Sequence, residues 1–449
     1  MVPSALSLSR PAKKEFVMNR TMSAHFNSIL TVSILIVSML ITAPCLTLSQ
    51  TLPDPNQRQP YFQAFPLLFN RYSGENGYED LVLAGDLISR TPLFEDPKDL
   101  DPLLPKKRLI LQDQAVSHVL QMVHDGLLKP VFDPRDHAKM DENTIFPEFA
   151  GFRKLARLMA MKEYVLLADG NTSGAIEMMR DGMKMAYDIQ GGTLISGLVG
   201  IAIDAIVVSA IAKHFDQLSM RNCDLILNIV RKAKERDSKL GYIVSKEKEF
   251  ALRMLSSLKD KRKLGELLTV SYADPLHPSP AEMLETYFNQ SIIDGVNKNP
   301  IGADSLVNQA TTLLTQESAL YEANLKLPRN KRNKIPEFDP NSSPAARVYD
   351  KISVRPTTIL DRYDRQETQL RLLGAHASII RFRWNHARLP ETLMELKADR
   401  LFNLDLLTDP YTGNLFVYKA TGAQYDLHSA GGENGEIALP YVKPSIPQL

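Results

Sequence analysis

FAGFRKLARLMAMKEYVLLADGNTSGAIEMMRDGMKMAYDIQ, running from Phe149 to Gln190, decides the fold class. Leu155, Leu158, Met159, Val165 and Leu166 recur at the three- and four-residue spacing of a helix with one buried face. Asp169-Gly170-Asn171 breaks the pattern, because glycine and asparagine tolerate the backbone of a tight turn. Ala175, Ile176, Met179, Met183 and Ala186 then restart it. The stretch predicts two helices folded back on each other. Methionines at 178, 179, 183 and 185 lie on the second helix. Their soft thioethers would suit a binding surface, but their helical spacing assigns them to packing.

The apolar stripe, the Gly-Asn turn and the Ala-Ile opening of the second helix resemble one tetratricopeptide-type hairpin. No sustained repeat of the unit follows, so the resemblance covers a single hairpin. Upstream, Gln112 to Gly126 keeps Val116, Val119, Leu120 and Val123 on one helical face. Residues 51–110 are rich in proline and aspartate and read as an extended segment with a short helical piece at Gly77 to Ile88. Downstream, Thr193 to Ala212 reads TLISGLVGIAIDAIVVSAIA, which is long and apolar enough to span a bilayer. Small residues at Gly197, Gly200, Ala202 and Ala205 would let helices approach closely. Asp204 at its centre argues for a helix buried in a bundle, since a carboxylate in hydrocarbon is costly and a buried one needs a partner.

Asn222 to Leu264 is helical and laced with charges of both signs, the mark of a solvated face. A further helical stretch covers Pro280 to Leu327. Pro328, Pro336, Pro340 and Pro344 make 328–356 a linker, and the basic residues between Lys326 and Lys334 read as a solvated loop able to meet an acidic surface. Thr357 to His386 predicts one long helix whose buried stripe is Leu370, Leu373, Ala377, Ile380 and Trp384. Proline suits a first helical turn, so a short helix restarts at Leu389-Pro390. Leu415–Lys419 and Gln424–Ser429 alternate as a strand pair about Thr421-Gly422, and Gly431-Gly432-Glu433-Asn434-Gly435 closes the tail as a glycine-rich loop.

This run, RLPETLMEL followed by TDPYTGNLFVYKATGAQYDLHSAGGENG, resembles the C-terminal part of the major pseudopilins of type II secretion. The same tail recurs on longer exported helical proteins of bacteria, which the chain resembles overall. The resemblance implies a small α+β module and, in the family, a calcium loop. Here that loop offers Glu433 and Asn434 with Asp426 nearby, few oxygens for an ion that takes six to eight. A pseudopilin also places its hydrophobic helix directly before this module and carries a prepilin-peptidase site; this chain does neither.

Ile29 to Leu48, ILTVSILIVSMLITAPCLTL, follows a flank holding Arg10, Lys13, Lys14 and Arg20. Twenty such residues span about 30 Å of hydrocarbon, and the basic flank keeps the N-terminus inside. Two readings follow: a membrane anchor, with the body outside the cytoplasm, or a signal cleaved near Thr47-Leu48-Ser49, leaving a secreted or periplasmic protein. The expected segments are a leader and membrane-targeting helix (1–50), the extended segment (51–110), a helical domain (111–327), the linker (328–356) and the long helix with its β module (357–449).

Lysine plus arginine number 53 against 52 acidic residues, which removes the electrostatic case for a nucleic-acid binder. The two cysteines, Cys45 and Cys223, exclude a disulfide framework and a cysteine zinc site. His118/His124 and His376/His386 lack the spacing that would bring two histidines to one metal on a helix turn, and the glycines from Gly191 to Gly200 follow no strand, as a nucleotide loop would. No catalytic, cofactor-binding or metal residue is assigned. The expectation is a mainly α helical bundle or hairpin array with a small α+β tail, working in the cell envelope through protein contacts. The alternatives are an envelope hydrolase with Asp204 as its acid, and an accessory of secretion or pilus machinery.

Overall fold

The computed structural model describes residues 74–91, 104–140, 144, 146–269, 279–299, 302–336, 338–352, 357–398, 403–432 and 435–440. The leader, the apolar segment 29–48, Glu433 and Asn434 lie outside them. In chain order the helices are α1 (Gly77–Arg90), α2 (Leu104–Gln112), α3 (Gln114–Leu128), α4 (Glu148–Ala168), α5 (Thr172–Asp188), α6 (Leu194–Ala212) and α7 (Met220–Lys234). There follow α8 (Leu240–Ser257), α9 (Lys261–Leu268), α10 (Pro280–Lys298), α11 (Gly302–Leu325), α12 (Pro344–Ile352), α13 (Thr357–His386) and the single turn α14 (Leu404–Leu407). Three strands, β1 (Val417–Thr421), β2 (Gln424–Gly432) and β3 (Gly435–Ile437), form an antiparallel sheet in the order β1-β2-β3.

Local chemistry fixes the helix ends. Gly170 takes φ +79° between α4 and α5, and the side chain of Asn171 accepts the Gly174 N–H at 3.0 Å, opening α5. Thr193 and Ser196 form a reciprocal capping box at the start of α6. Ser279 and Glu282 do the same for α10, with Pro280 in the first turn.

One apolar cluster runs from Tyr78 to Leu439 and contains α1 and α3–α7, the middle of α13 and the inward face of the sheet. A second joins α8–α12 around Leu255, Leu264, Val307 and Tyr349. A third bridges the two, where Leu194 of α6, Ile243 of α8, Tyr321 of α11 and Ile359 of α13 meet. Helix α6 packs on α4, α5 and α13. It is long and apolar enough to cross a membrane, yet its central residues Ile203, Val207 and Ile211 are fully buried within the bundle. Gly200 lets α5 approach, since a Cβ there would lie 2.4 Å from the Ala186 carbonyl oxygen.

The architecture departs from the segment boundaries expected from the sequence. Helix α1 is the short helical piece expected at Gly77 to Ile88, but it belongs to the main core, where it places Tyr78, Leu81 and Ile88. Its flanks carry the prolines and aspartates, while the helix itself carries an apolar stripe. Residues 344–352, assigned to a linker, form α12 and bury Ala345, Val348 and Tyr349. Proline in a first helical turn starts that helix where a linker was read. The tail is no appended module either, because Phe416, Tyr425 and Leu427 share the main core with Leu373 and Phe215.

Within the tail, α13 covers the expected span, and Leu373, Ala377 and Ile380 are buried as its stripe requires. Trp384 is 58% exposed instead, because the last turn of α13 runs past the core edge, and its indole N–H donates to the Leu218 carbonyl at 2.8 Å. The short helix expected from Leu389-Pro390 forms as a tighter 3-10 turn over Leu393–Ala398. β1 and β2 pair in register Val417↔His428 to Thr421↔Gln424, and part of the glycine-rich loop becomes β3.

Candidate functional site

Helix α5 has an open groove on each side. The first lies between α3, α4 and α5 and encloses about 330 Å³. Leu111, Leu120, Val123, Met159 and Met178 give it an apolar wall, and Ser117, Gln121, His124, Lys162 and Asp181 bring polar groups to it. His124 Nδ1 lies 3.1 Å from Asp181 Oδ2. That pairing leaves the other ring nitrogen available, the arrangement in which a carboxylate orients an imidazole for proton transfer. The other oxygen of Asp181 accepts from Arg180, Nε at 3.2 Å and Nη2 at 3.1 Å.

Arg180 also lines the second groove, between α5 and α7, which encloses about 280 Å³. Ile176 and Met183 from α5, with Leu225 and Ile229 from α7, form its floor. Its rim carries Glu177, Arg180, Lys184, Lys232 and Arg236. The two helices run in the same direction. Ser173 meets Asn222 at one end, and the Tyr187 ring lies 5.0 Å from the Arg236 guanidinium at the other. The groove therefore has an acidic end at Glu177 and a basic end at Lys232 and Arg236. Lys184 is tied to Asp188. Among the described residues no carboxylate lies within ion-pair distance of Lys232 or Arg236, whereas Lys234 on the same helix meets Glu367 at 3.5 Å.

Residues singled out in the sequence have other places. Asp204 is buried and lines neither groove; Gln366 of α13 donates to it at 3.1 Å. Burial pushes its carboxyl up to about 6, against the Gln366 hydrogen bond and the positive Arg236. Asp204 thus has the hydrogen-bond partner that its buried position demands. Met179, Met183 and Met185 are core, Met183 forming the base of the second groove, while Met178 is partly buried and faces the first. Cys223 is a free, buried thiol, pushed up to about 12 by burial. His376 stacks on Phe215 with centroids 4.7 Å apart and shares a 2.8 Å hydrogen bond with the Tyr425 hydroxyl; burial holds it neutral, down at about 3.

The basic run ending at Lys334 is partly spent inside the fold. Arg332 clasps Asp364 with bonds of 2.9 and 2.7 Å, and Arg329 meets the same carboxylate at 3.0 Å. Asp409 holds the tail turn: its carboxylate accepts from Ser429 Oγ at 2.8 Å and the Ala430 N–H at 3.1 Å. Of the calcium-type oxygens, Asp426 stands on the exposed face of β2, and the other two residues lie outside the described ones. Among the described residues no cluster of three or more His, Cys, Asp or Glu has metal-binding geometry.

Sequence reading also missed a buried polar cluster between α1, α4 and the loop from Lys129 to Met140. Arg135 meets Asp133 at 2.5 Å and Glu148 at 2.7 Å, donates to the Tyr78 hydroxyl at 2.9 Å, and lies 4.4 Å from the Phe146 ring centre. Each residue of the cluster meets another, which makes it a staple for the loop, although Glu148 Oε2 accepts no hydrogen bond. The groove residues His124 and Asp181 stand 57 positions apart in sequence, so no local pattern announces them. No family model matches the chain, and neither does any curated protein or solved structure.

Proposed function

We propose that the chain is a cell-envelope protein, exported or held at the membrane through residues 29–48, whose helical body binds other proteins beside α5. One observation carries the reading: the buried aspartates Asp133, Asp204, Asp364 and Asp409 are engaged by protein donors, while the two grooves flanking α5 are open with apolar walls. Grooves between helices accept segments of partner proteins by burying an apolar face. The Gly-Asn turn of the α4–α5 hairpin supports a tetratricopeptide-type unit, for which such contacts are the common use. The β1–β2 hairpin after the Asp409 turn supports the pseudopilin-like reading of the tail, and with it a place near secretion or pilus machinery. Crosslinking in intact cells, purification in mild detergent and mass spectrometry test the proposal. A reproducible set of envelope proteins is the expected result, and recovery of the chain alone would contradict it.

A second reading, an envelope hydrolase, rests on the His124–Asp181 pair in the first groove. It requires that His124→Ala and Asp181→Asn abolish a hydrolytic activity of the purified chain without lowering its melting temperature. An activity that survives both substitutions removes that reading.

A further inference from the structure

We infer that the groove between α5 and α7 is the docking site for an acidic amphipathic helical segment of a partner protein; the inference rests on the interaction reading above and names the partner's chemistry.

The floor sets the first requirement. Ile176 and Met183 of α5 are buried at the base of the groove, and the half-buried Leu225 and Ile229, one turn apart on α7, give an apolar strip of roughly 6 Å along the helix. That length takes an apolar stripe spaced at i and i+4, and methionine in the floor adapts to its shape. The rim sets the second. Lys232 in the last turn of α7 and Arg236 just beyond its end are exposed and make no ion pair among the described residues, although Arg231 and Lys234 have Glu235 and Glu367. Exposed cations beside an apolar floor match carboxylates flanking an apolar stripe. A small free anion would leave the floor unused.

The polarity of the groove fixes the orientation. Glu177 at one end repels acid, and Lys232 and Arg236 toward the other attract it, Lys184 being neutralised by Asp188. The acidic residues of the segment therefore cluster at one end of its apolar stripe. Tyr187 holds that end in shape, its ring lying 5.0 Å from Arg236 and 4.9 Å from Lys239.

The test is a display selection of helical peptides on the full-length chain in detergent, counter-selected on a chain carrying Lys232→Glu and Arg236→Glu. Both side chains are exposed, and circular dichroism verifies that the variant is folded. The expected outcome is enrichment of peptides with Asp or Glu at one end of a Leu, Ile or Met stripe. Their affinity should fall about tenfold or more in the charge-reversed chain, and fall again in Ile229→Ser. Enrichment of non-acidic sequences, no enrichment, or equal binding of polyglutamate overturns the proposal; the last would mark a general polyanion surface. If the charge-reversed chain keeps its full set of cellular crosslinks, the groove assignment fails while the interaction reading stands.

Discussion

Two buried carboxyls on adjacent helices set the residue-scale behaviour. Asp204 is held up at about 6 against an ordinary value near 3.8, so its folded state favours the proton. Its contribution is fully present below the unfolded value and is lost as pH rises through about 6, on the order of 2–3 kcal/mol. Asp204→Asn keeps an acceptor for Gln366 and removes the charge. Denaturant titrations at several pH values should then show the variant gaining on the parent between about pH 4 and 7; a constant difference would mean that Asp204 is ionised without strain. Glu163 is the harder case. It is fully buried, neither oxygen has a hydrogen-bond partner, and burial pushes its carboxyl well above the usual range. Glu163→Met should stabilise the chain at neutral pH by about 1–3 kcal/mol, since it removes an unpaired polar group at nearly constant volume. A loss of stability would reveal a partner that the fold does not show. Asp204 was legible in the sequence because it interrupts an apolar run. Glu163 was not, since Lys162 and Tyr164 beside it disguise a core position as a surface one.

At the scale of elements, local chemistry carried the reading where an element is defined by its own residues. The α4–α5 hairpin, α13 and the β1–β2 pair follow from apolar spacing and turn residues, and they form close to their expected limits. Elements defined by contact were illegible. The loop from Lys129 to Met140 has no periodicity, yet Arg135 fastens it to α1 and α4 through Tyr78, Asp133 and Glu148. Arg135→Met would leave two carboxylates buried without their cation. It should cost about 3–5 kcal/mol, read as a shift in the denaturant midpoint. A cost near zero would mean that water, rather than Arg135, satisfies the carboxylates. The grooves beside α5 were invisible for the same reason: a groove belongs to two helices and to neither sequence.

On the scale of the whole molecule, the shared core makes the tail part of the helical body. Tyr425 packs against His376 of α13, which in turn stacks on Phe215. Tyr425→Ala should therefore lower the melting temperature of the helical signal in circular dichroism, by a loss of about 3–5 kcal/mol. An independent tail would leave the helical signal unmoved. The same continuity places the open surfaces of α5 on a rigid frame, with α4 and α6 behind it and the tail locked against α13. Whether this frame presents α5 to protein partners is read by a photoreactive amino acid at Asn228, on the rim of the α5–α7 groove, in intact cells. The expected result is a discrete set of crosslinked proteins that disappears with Lys232→Glu and Arg236→Glu. Crosslinks that persist unchanged in that variant, or none at all, would contradict it.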